Sequence, residues 1–210
     1  MFTTIAAAIL LSQKTAFEAN PTQALLGVIK YLVLTQSIDT LYYTRDLFSS
    51  ILTIVLVALL SPVTAGLMVL LGAPASSLFA ETLLGAACLT VMVVQPMLTR
   101  YGLDGALWSR AFTFDLPLSD VYGAFVGGIV GSWIGAIPIA LDWDRPWQQW
   151  PITVVFGGAA GAAVGNAVGF VASLKSLDKY GLVKHAKDLK AAERSARKKA
   201  AAQQTTLKSN

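Results

Sequence analysis

Residues Val121 to Phe170 read VYGAFVGGIVGSWIGAIPIALDWDRPWQQWPITVVFGGAAGAAVGNAVGF, two apolar segments joined by a short turn rich in tryptophan. In the first segment Gly123, Gly127, Gly131 and Gly135 recur at every fourth position, and in the second Gly157, Gly161, Gly165 and Gly169 do the same. On a helix this spacing puts one groove down one face. In water such helices would be weak, at about 1 kcal/mol per glycine relative to alanine. In lipid the cost of freeing backbone groups keeps a helix intact. Glycine then lets two backbones approach until dispersion contact supplies the attraction that lipid cannot. The stretch predicts an antiparallel hairpin packed through its glycines, against each other or against a partner helix. The bland alternative is a flexible Gly/Ala-rich run.

The composition fits a bilayer. The 210 residues are 55% hydrophobic and 13% charged, about half the charge of a soluble domain. The charge is also unevenly placed. Residues 175–210 carry ten basic side chains against Asp178, Asp188 and Glu193, a charge of +7 that leaves −3 on the rest. The single cysteine, Cys88, allows no intramolecular disulfide framework, and His185 in the tail is the only histidine. A His/Cys zinc cluster cannot be assembled from this inventory, and a Ser-His-Asp triad would have to recruit its base from a basic, solvated segment. No cofactor, metal site or nucleic-acid partner is expected.

Working outward, six spans emerge. Phe2 to about Ala19 is apolar but holds Lys14 and Glu18; Asn20-Pro21 is a turn signal, and Gln23 to Tyr42 makes a second span despite Lys30 and Asp39. No charge occurs from Leu47 to Ala80, so Phe48 to Leu71 spans the roughly 20 residues a bilayer core needs, with Ser61-Pro62 as its kink and Gly72-Ala73-Pro74 as its exit. Thr82 to Thr99 is the fourth span, entered past Glu81, an interfacial carboxylate rather than a buried ligand, and ending around Gln95-Pro96. Arg100 to Asp120 reads as an extramembrane loop. The glycine-bearing spans are Val121 to Leu141 and Pro151 to Leu174. The expectation is an all-α polytopic membrane protein of six transmembrane helices, the last two a glycine hairpin, with a spanning domain over 1–174 and a basic tail over 175–210. The tail reads as a solvated helix or as a segment drawn to anionic lipid heads.

Lysine and arginine set the orientation, because short cytoplasmic loops are enriched in them. If the tail is cytoplasmic, so are the loops holding Arg45 and Arg100 with Arg110. The Asp142–Trp150 loop then faces the opposite side.

That loop packs Asp142, Trp143, Asp144, Arg145, Trp147 and Trp150 into one turn. Indoles sit well at headgroup level, and Arg145 can pair with a carboxylate or stack on an indole. A rigid cap on the hairpin is one reading. The Asp142/Asp144 pair can also hold a divalent cation near a phosphate, given further oxygen ligands.

The run Gly131-Ser132-Trp133-Ile134-Gly135-Ala136-Ile137-Pro138-Ile139-Ala140-Leu141-Asp142-Trp143-Asp144-Arg145, continued by Trp147-Gln148 and Trp150-Pro151-Ile152, closely resembles the signature of the PIG-F family. Weaker similarity reaches upstream through Tyr31-Leu32-Val33-Leu34, Leu71-Gly72-Ala73-Pro74 and Glu81-Thr82. Ala140 departs from the proline many relatives carry there, and the resemblance does not extend to the tail. It implies a six-spanning, non-catalytic subunit of the endoplasmic reticulum membrane. Such a subunit stabilises the large ethanolamine phosphate transferases of glycosylphosphatidylinositol (GPI) anchor synthesis, which carry the metal site and the chemistry. Partners would be those transferases, membrane lipid and the GPI precursor, with the Asp142–Trp150 loop lumenal. The alternatives are a self-sufficient metal-dependent enzyme acting on a lipid phosphate through Asp142/Asp144, and a small transporter.

Overall fold

The computed structural model describes residues 19–141 and 145–179, except for the side chains at 21 and 176–179. The expected first span, apart from Ala19, and the tail beyond 179 lie outside the described residues.

Helix α1 (Pro21–Thr44) starts where Asn20 accepts the Gln23 amide at 3.2 Å. Pro21 fills the first turn, where a missing N–H costs nothing. The helix ends at Arg45, and Asp46 immediately caps α2 (Leu47–Leu70), accepting the Ser49 amide at 2.9 Å and its hydroxyl at 2.7 Å. These bonds, the amide's first, hold the Asp46 carboxyl below the usual carboxylate range. With two residues between them, α1 and α2 run antiparallel.

Helix α2 is inside out by the standards of a soluble protein. It buries Ser50, Thr53, Val57, Ser61 and Ala65 and exposes Phe48, Ile51, Val55, Leu59, Val63 and Leu67. Small side chains bring helices close, and large apolar ones face lipid. Pro62 lies within the continuous helix. Gly72, at φ 104°, then turns the chain.

The centre of the bundle is one rod made of α3 (Phe79–Leu89), a π-turn (Thr90–Val94) and α4 (Gln95–Tyr101). Here the structure differs from the expected end at Gln95-Pro96. Proline has no N–H, and its ring would strike the Met92 carbonyl in a regular helix. Instead the Gln95 amide bonds back to the Thr90 carbonyl, five residues away, and the widened turn carries the helix past Pro96. This rod buries 67% of its apolar window against 22–33% in the other spans, with Cys88 and Met92 fully enclosed. Polar groups join it to its neighbours. Thr90 donates to Thr64 at 2.9 Å, Gln95 to Thr40 at 3.2 Å, and the Thr40 and Thr99 hydroxyls lie 3.1 Å apart. Bonds of this kind contribute about 0.6 kcal/mol each in a bilayer.

The Arg100–Asp120 connector, expected as a loop, contains helix α5 (Gly105–Phe112). Asp104 caps it, and Trp108 donates to the Gly102 carbonyl at 2.9 Å. Trp108 and Phe112 pack on Phe125, with ring centroids 6.1 and 6.3 Å away. Gly102 and Gly105 read as breakers in sequence, yet both sit at the start of the helix, Gly105 as its first residue, and leave it whole.

Helix α6 (Asp120–Ala136) is capped by the Ser119 hydroxyl and tightens into a 3-10 turn over Ile137–Ala140. A second 3-10 turn, Pro146–Gln148, precedes α7 (Ile152–Lys179). The chain is an all-α polytopic membrane protein. Among the described residues five helices are long and apolar enough to cross a bilayer: Thr22–Thr44, Leu47–Leu70, Phe79–Tyr101, Asp120–Ala140 and Ile152–Lys175. A first compact unit ends at Phe170, and the described part of the second, 171–179, is helical.

Candidate functional site

The two glycine rows face each other, backbone to backbone. A Cβ built on Gly127 would overlap the Gly161 carbonyl oxygen and stand 3.0 Å from the Gly165 Cα. One built on Gly161 would overlap the Gly127 carbonyl and stand 2.8 Å from the Gly131 Cα. Gly131 meets Gly157 and Gly123 meets Gly165 in the same way; Gly135 lies on Thr153 and Val154, and Gly169 on Ser119 and Asp120. Any side chain in this seam would have to push a helix backbone aside.

Three further glycines make close approaches that the four-residue spacing does not pick out. A Cβ on Gly128 would stand 2.6 Å from Val93 Cγ2, one on Gly158 the same distance from Leu89 Cδ2, and one on Gly85 2.8 Å from Pro151 Cγ. The signal was the doubling at Gly127-Gly128 and Gly157-Gly158. Adjacent helical residues point about 100° apart, so a doubled glycine serves two partners. Here these are the other arm of the hairpin and the central rod.

The turn between α6 and α7 is tied at two points. Gln148 is the first: its Nε2 donates to the carbonyls of Pro138 at 2.6 Å and Leu141 at 2.8 Å, while its Oε1 accepts the Arg145 amide at 2.9 Å. Trp150 is the second, donating from Nε1 to the buried Thr82 hydroxyl at 2.8 Å. Thr82 passes that tie to the Gly72–Pro74 turn, because its oxygen lies 2.9 Å from the Pro74 carbonyl. Arg145 is exposed and Trp147 half-buried. Asp142, Trp143 and Asp144 lie outside the described residues, as does His185. Sequence reasoning singled out the tryptophans and charges of this turn and passed over Gln148 and Thr82, whose roles depend on carbonyls that no residue pattern announces.

Beside the turn the bundle is open. Between α2 and α6 lie two adjoining apolar cavities of about 510 and 530 Å3, which share Met68, Leu71, Leu89, Ser132 and Trp133. One reaches Pro74 and Trp150, the other Trp108 and Phe112. Together they form a groove from one end of the bundle to the other, open to the surroundings of the spans. Among the described residues no group of three His, Cys, Asp or Glu side chains could hold a metal ion.

The sequence model of the GPI biosynthesis protein family Pig-F matches residues 1–170. The chain belongs to the PIG-F family. Among curated relatives, the glycosylphosphatidylinositol anchor biosynthesis protein 11 of Yarrowia lipolytica is 41% identical over 133 residues, 63% of this chain and 60% of that protein. Its namesake in Neurospora crassa is 40% identical over 126 residues, 60% of this chain and 46% of that protein. A human PIG-F relative, named GPI ethanolamine phosphate transferase, stabilizing subunit, is 37% identical over 106 residues, 49% of this chain and 48% of that protein. The chain spans about half the length of the curated relatives it matches. No solved structure matches it significantly.

Proposed function

We propose that the chain is a non-catalytic membrane subunit that binds an ethanolamine phosphate transferase of GPI anchor synthesis and holds it in a folded, productive state. The name of the human relative supports the role. The geometric observation that carries it is the turn at Arg145–Trp150, fixed by Gln148 and Trp150, beside an apolar groove open along the spans. A rigid scaffold that presents an arginine and a tryptophan next to exposed apolar surface is built for contact, because interface energy concentrates in such anchors. Arg145 and Trp147 are the contact residues in this reading, with Asp142, Trp143, Asp144 and Trp150 completing the loop. The glycine rows of α6 and α7 serve to keep that scaffold rigid. The GPI precursor and bilayer lipid are further neighbours of the complex.

In this reading the complex resides in the endoplasmic reticulum membrane, with the loop lumenal and the tail cytoplasmic, an orientation that the lysine and arginine distribution supports. With Cys88 replaced by alanine, Gln149→Cys puts a single thiol on an exposed position of the turn. Labelling by an impermeant reagent in cells whose plasma membrane alone is opened would reverse that orientation.

The test of the role is the double change Arg145→Ala with Trp147→Ala. Recovery of the large partner in mild detergent falls, and GPI precursors lacking the later ethanolamine phosphates accumulate, while the chain itself still inserts. Transfer of ethanolamine phosphate by the purified chain alone would overturn the subunit reading in favour of the Asp142/Asp144 metal enzyme.

A further inference from the structure

At the end of the bundle away from the Arg145–Trp150 turn, α1, α4, α6 and α7 part around a polar cleft of about 50 Å3. Asp39 of α1 and Asp120 of α6 line it, with the amides of Gln36 and Asn166. Asn166 is engaged, donating to the Asp120 carbonyl at 3.2 Å. Gln36 is not. Its residue is only 3% exposed, its backbone carbonyl takes the Thr40 hydroxyl, and its side chain makes no hydrogen bond among the described residues. Its amide atoms are not sealed off but open into the cleft, where a group entering from outside the chain can reach them. At the rim, the Arg100 guanidinium lies over the Tyr43 ring, with Cζ 5.6 Å from the centroid, and forms no ion pair among the described residues.

These groups define a ligand. Inside the cleft, carboxylates and an amide oxygen accept and call for a cation with several N–H donors; at the rim, a guanidinium only donates and calls for an anion. Water-sized groups need roughly 10–15 Å3 each, so the cleft takes an ammonium nitrogen with its two methylene carbons. A trimethylammonium group is bulkier and has no N–H to offer. The depth points to lipid: the cleft lies level with Tyr43 and beside exposed Tyr42, and tyrosines at helix ends mark the headgroup layer. Two carboxylates are too few for a divalent ion that wants six or more oxygens.

We propose that this cleft holds the headgroup of an ethanolamine phospholipid of the surrounding leaflet, with its ammonium between Asp39, Asp120 and Gln36 and its phosphate at Arg100. The site is separate from the turn and groove, and it stands whether or not the chain serves a transferase. A lipid held there stitches α1 to α6 and α7 at the end of the bundle where they diverge.

Native mass spectrometry of the full-length chain, titrated with dioleoyl phosphatidylethanolamine, phosphatidylcholine and phosphatidylserine, tests it. The ethanolamine lipid binds about tenfold or more tightly than the choline lipid, the ratio expected for lost charge-assisted hydrogen bonds. Gln36→Leu and Asp39→Asn bring that ratio towards one, whereas Arg100→Gln, at an exposed position, weakens both lipids and leaves the ratio in place. Val164→Leu, on the outward face of α7, changes neither. Equal binding of ethanolamine and choline lipids by the parent chain overturns the proposal. So does tighter binding of the serine lipid, or an unchanged ratio in Gln36→Leu and Asp39→Asn proteins that melt like the parent. Should either of those variants fail to fold, the parent's ratio and the Arg100→Gln response decide by the same criteria.

Discussion

On one face of α6, Gly123, Gly127, Gly131 and Gly135 meet α7 with no space for a methyl group, while on a neighbouring face Ser132, Trp133 and Ala136 border cavities of about 510 and 530 Å3. Both faces are apolar or nearly so, and both lie at the same depth in the bilayer. They differ in what the facing helix offers. Helix α7 brings its own glycines at matching heights, so backbone carbonyls approach the opposing Cα atoms directly. Helix α2 keeps Leu60, Val63, Leu67 and Met68 towards the gap, and such side chains stand the helices apart. Close packing in lipid therefore needs small residues on both partners, and a face where large side chains stand on both, as Ile129 and Trp133 do opposite Val63 and Leu67, stays open.

Leucine in the seam should have the largest effect. Gly161→Leu drives a side chain into the Gly127 carbonyl and is expected to cost at least about 1–3 kcal/mol, as in overpacked cores. Val164→Leu, a position 64% exposed, should be tolerated. The fraction of chain recovered as a monodisperse peak in detergent, with its melting temperature, measures both; equal losses would mean that the seam is no more demanding than the outer surface. Next comes the tie across the top of the seam. Gln148→Ala leaves the Leu141 carbonyl without its side-chain donor and the Pro138 carbonyl with the Leu141 amide alone, and should cost about 1–2 kcal/mol, seen as a lower melting temperature and faster proteolysis at the turn.

The open face should behave in the opposite way. Trp133 is 59% exposed and borders both cavities, so Trp133→Ala should leave stability within about 0.5 kcal/mol yet lower co-recovery of the large partner. A matching fall in stability would make that face part of the chain's own core. The smallest effect is expected far from both faces, at Asp46. Its carboxyl titrates below the ordinary range in the folded chain, so its stabilising cap is present above the unfolded value of about 3.9. The contribution is lost as pH falls through the lower folded value. The melting-temperature gap between the parent and Asp46→Asn should therefore be small at neutral pH, since asparagine also caps, and should close in acid.

Much of this architecture was legible because lipid imposes simple rules. The uncharged stretch from Leu47 to Ala80 announced α2, and Asn20-Pro21 marked the start of α1. The four-residue glycine spacing located the faces of α6 and α7 that meet. Helix α5 was missed because its signal is short: eight residues carry one amphipathic turn or two, too few to outweigh Gly102 and Gly105 at its start and Pro117 beyond its end. The passage of the central rod through Pro96 was missed for a different reason. Proline marks where a regular helix must fail, and nothing in Thr90–Val94 says that a wider turn will absorb the failure. The turn's own ties were hidden too, since Gln148 works through the carbonyls of Pro138 and Leu141, which exist as targets only after α6 has tightened into its 3-10 end.

The π-turn at Thr90–Val94 has a consequence for how this chain tolerates length changes. A π-turn holds one residue more than the α-turn it replaces, so it acts as an insertion already accommodated within the rod. Removing one residue there would take out the widened turn, set the Pro96 ring against the carbonyl four residues before it, and shift the phase of everything that follows by about 100°. Gln95 and Thr99 would swing away from Thr40, Arg100 would leave the Tyr43 ring, and three polar side chains would turn towards acyl chains. The shorter rod would thus be worse both at the proline and in its contacts with α1. The irregular turn sets the rotational phase between the half of the rod that receives Trp150 and Pro151 and the half whose side chains meet Thr40 and Tyr43 of α1.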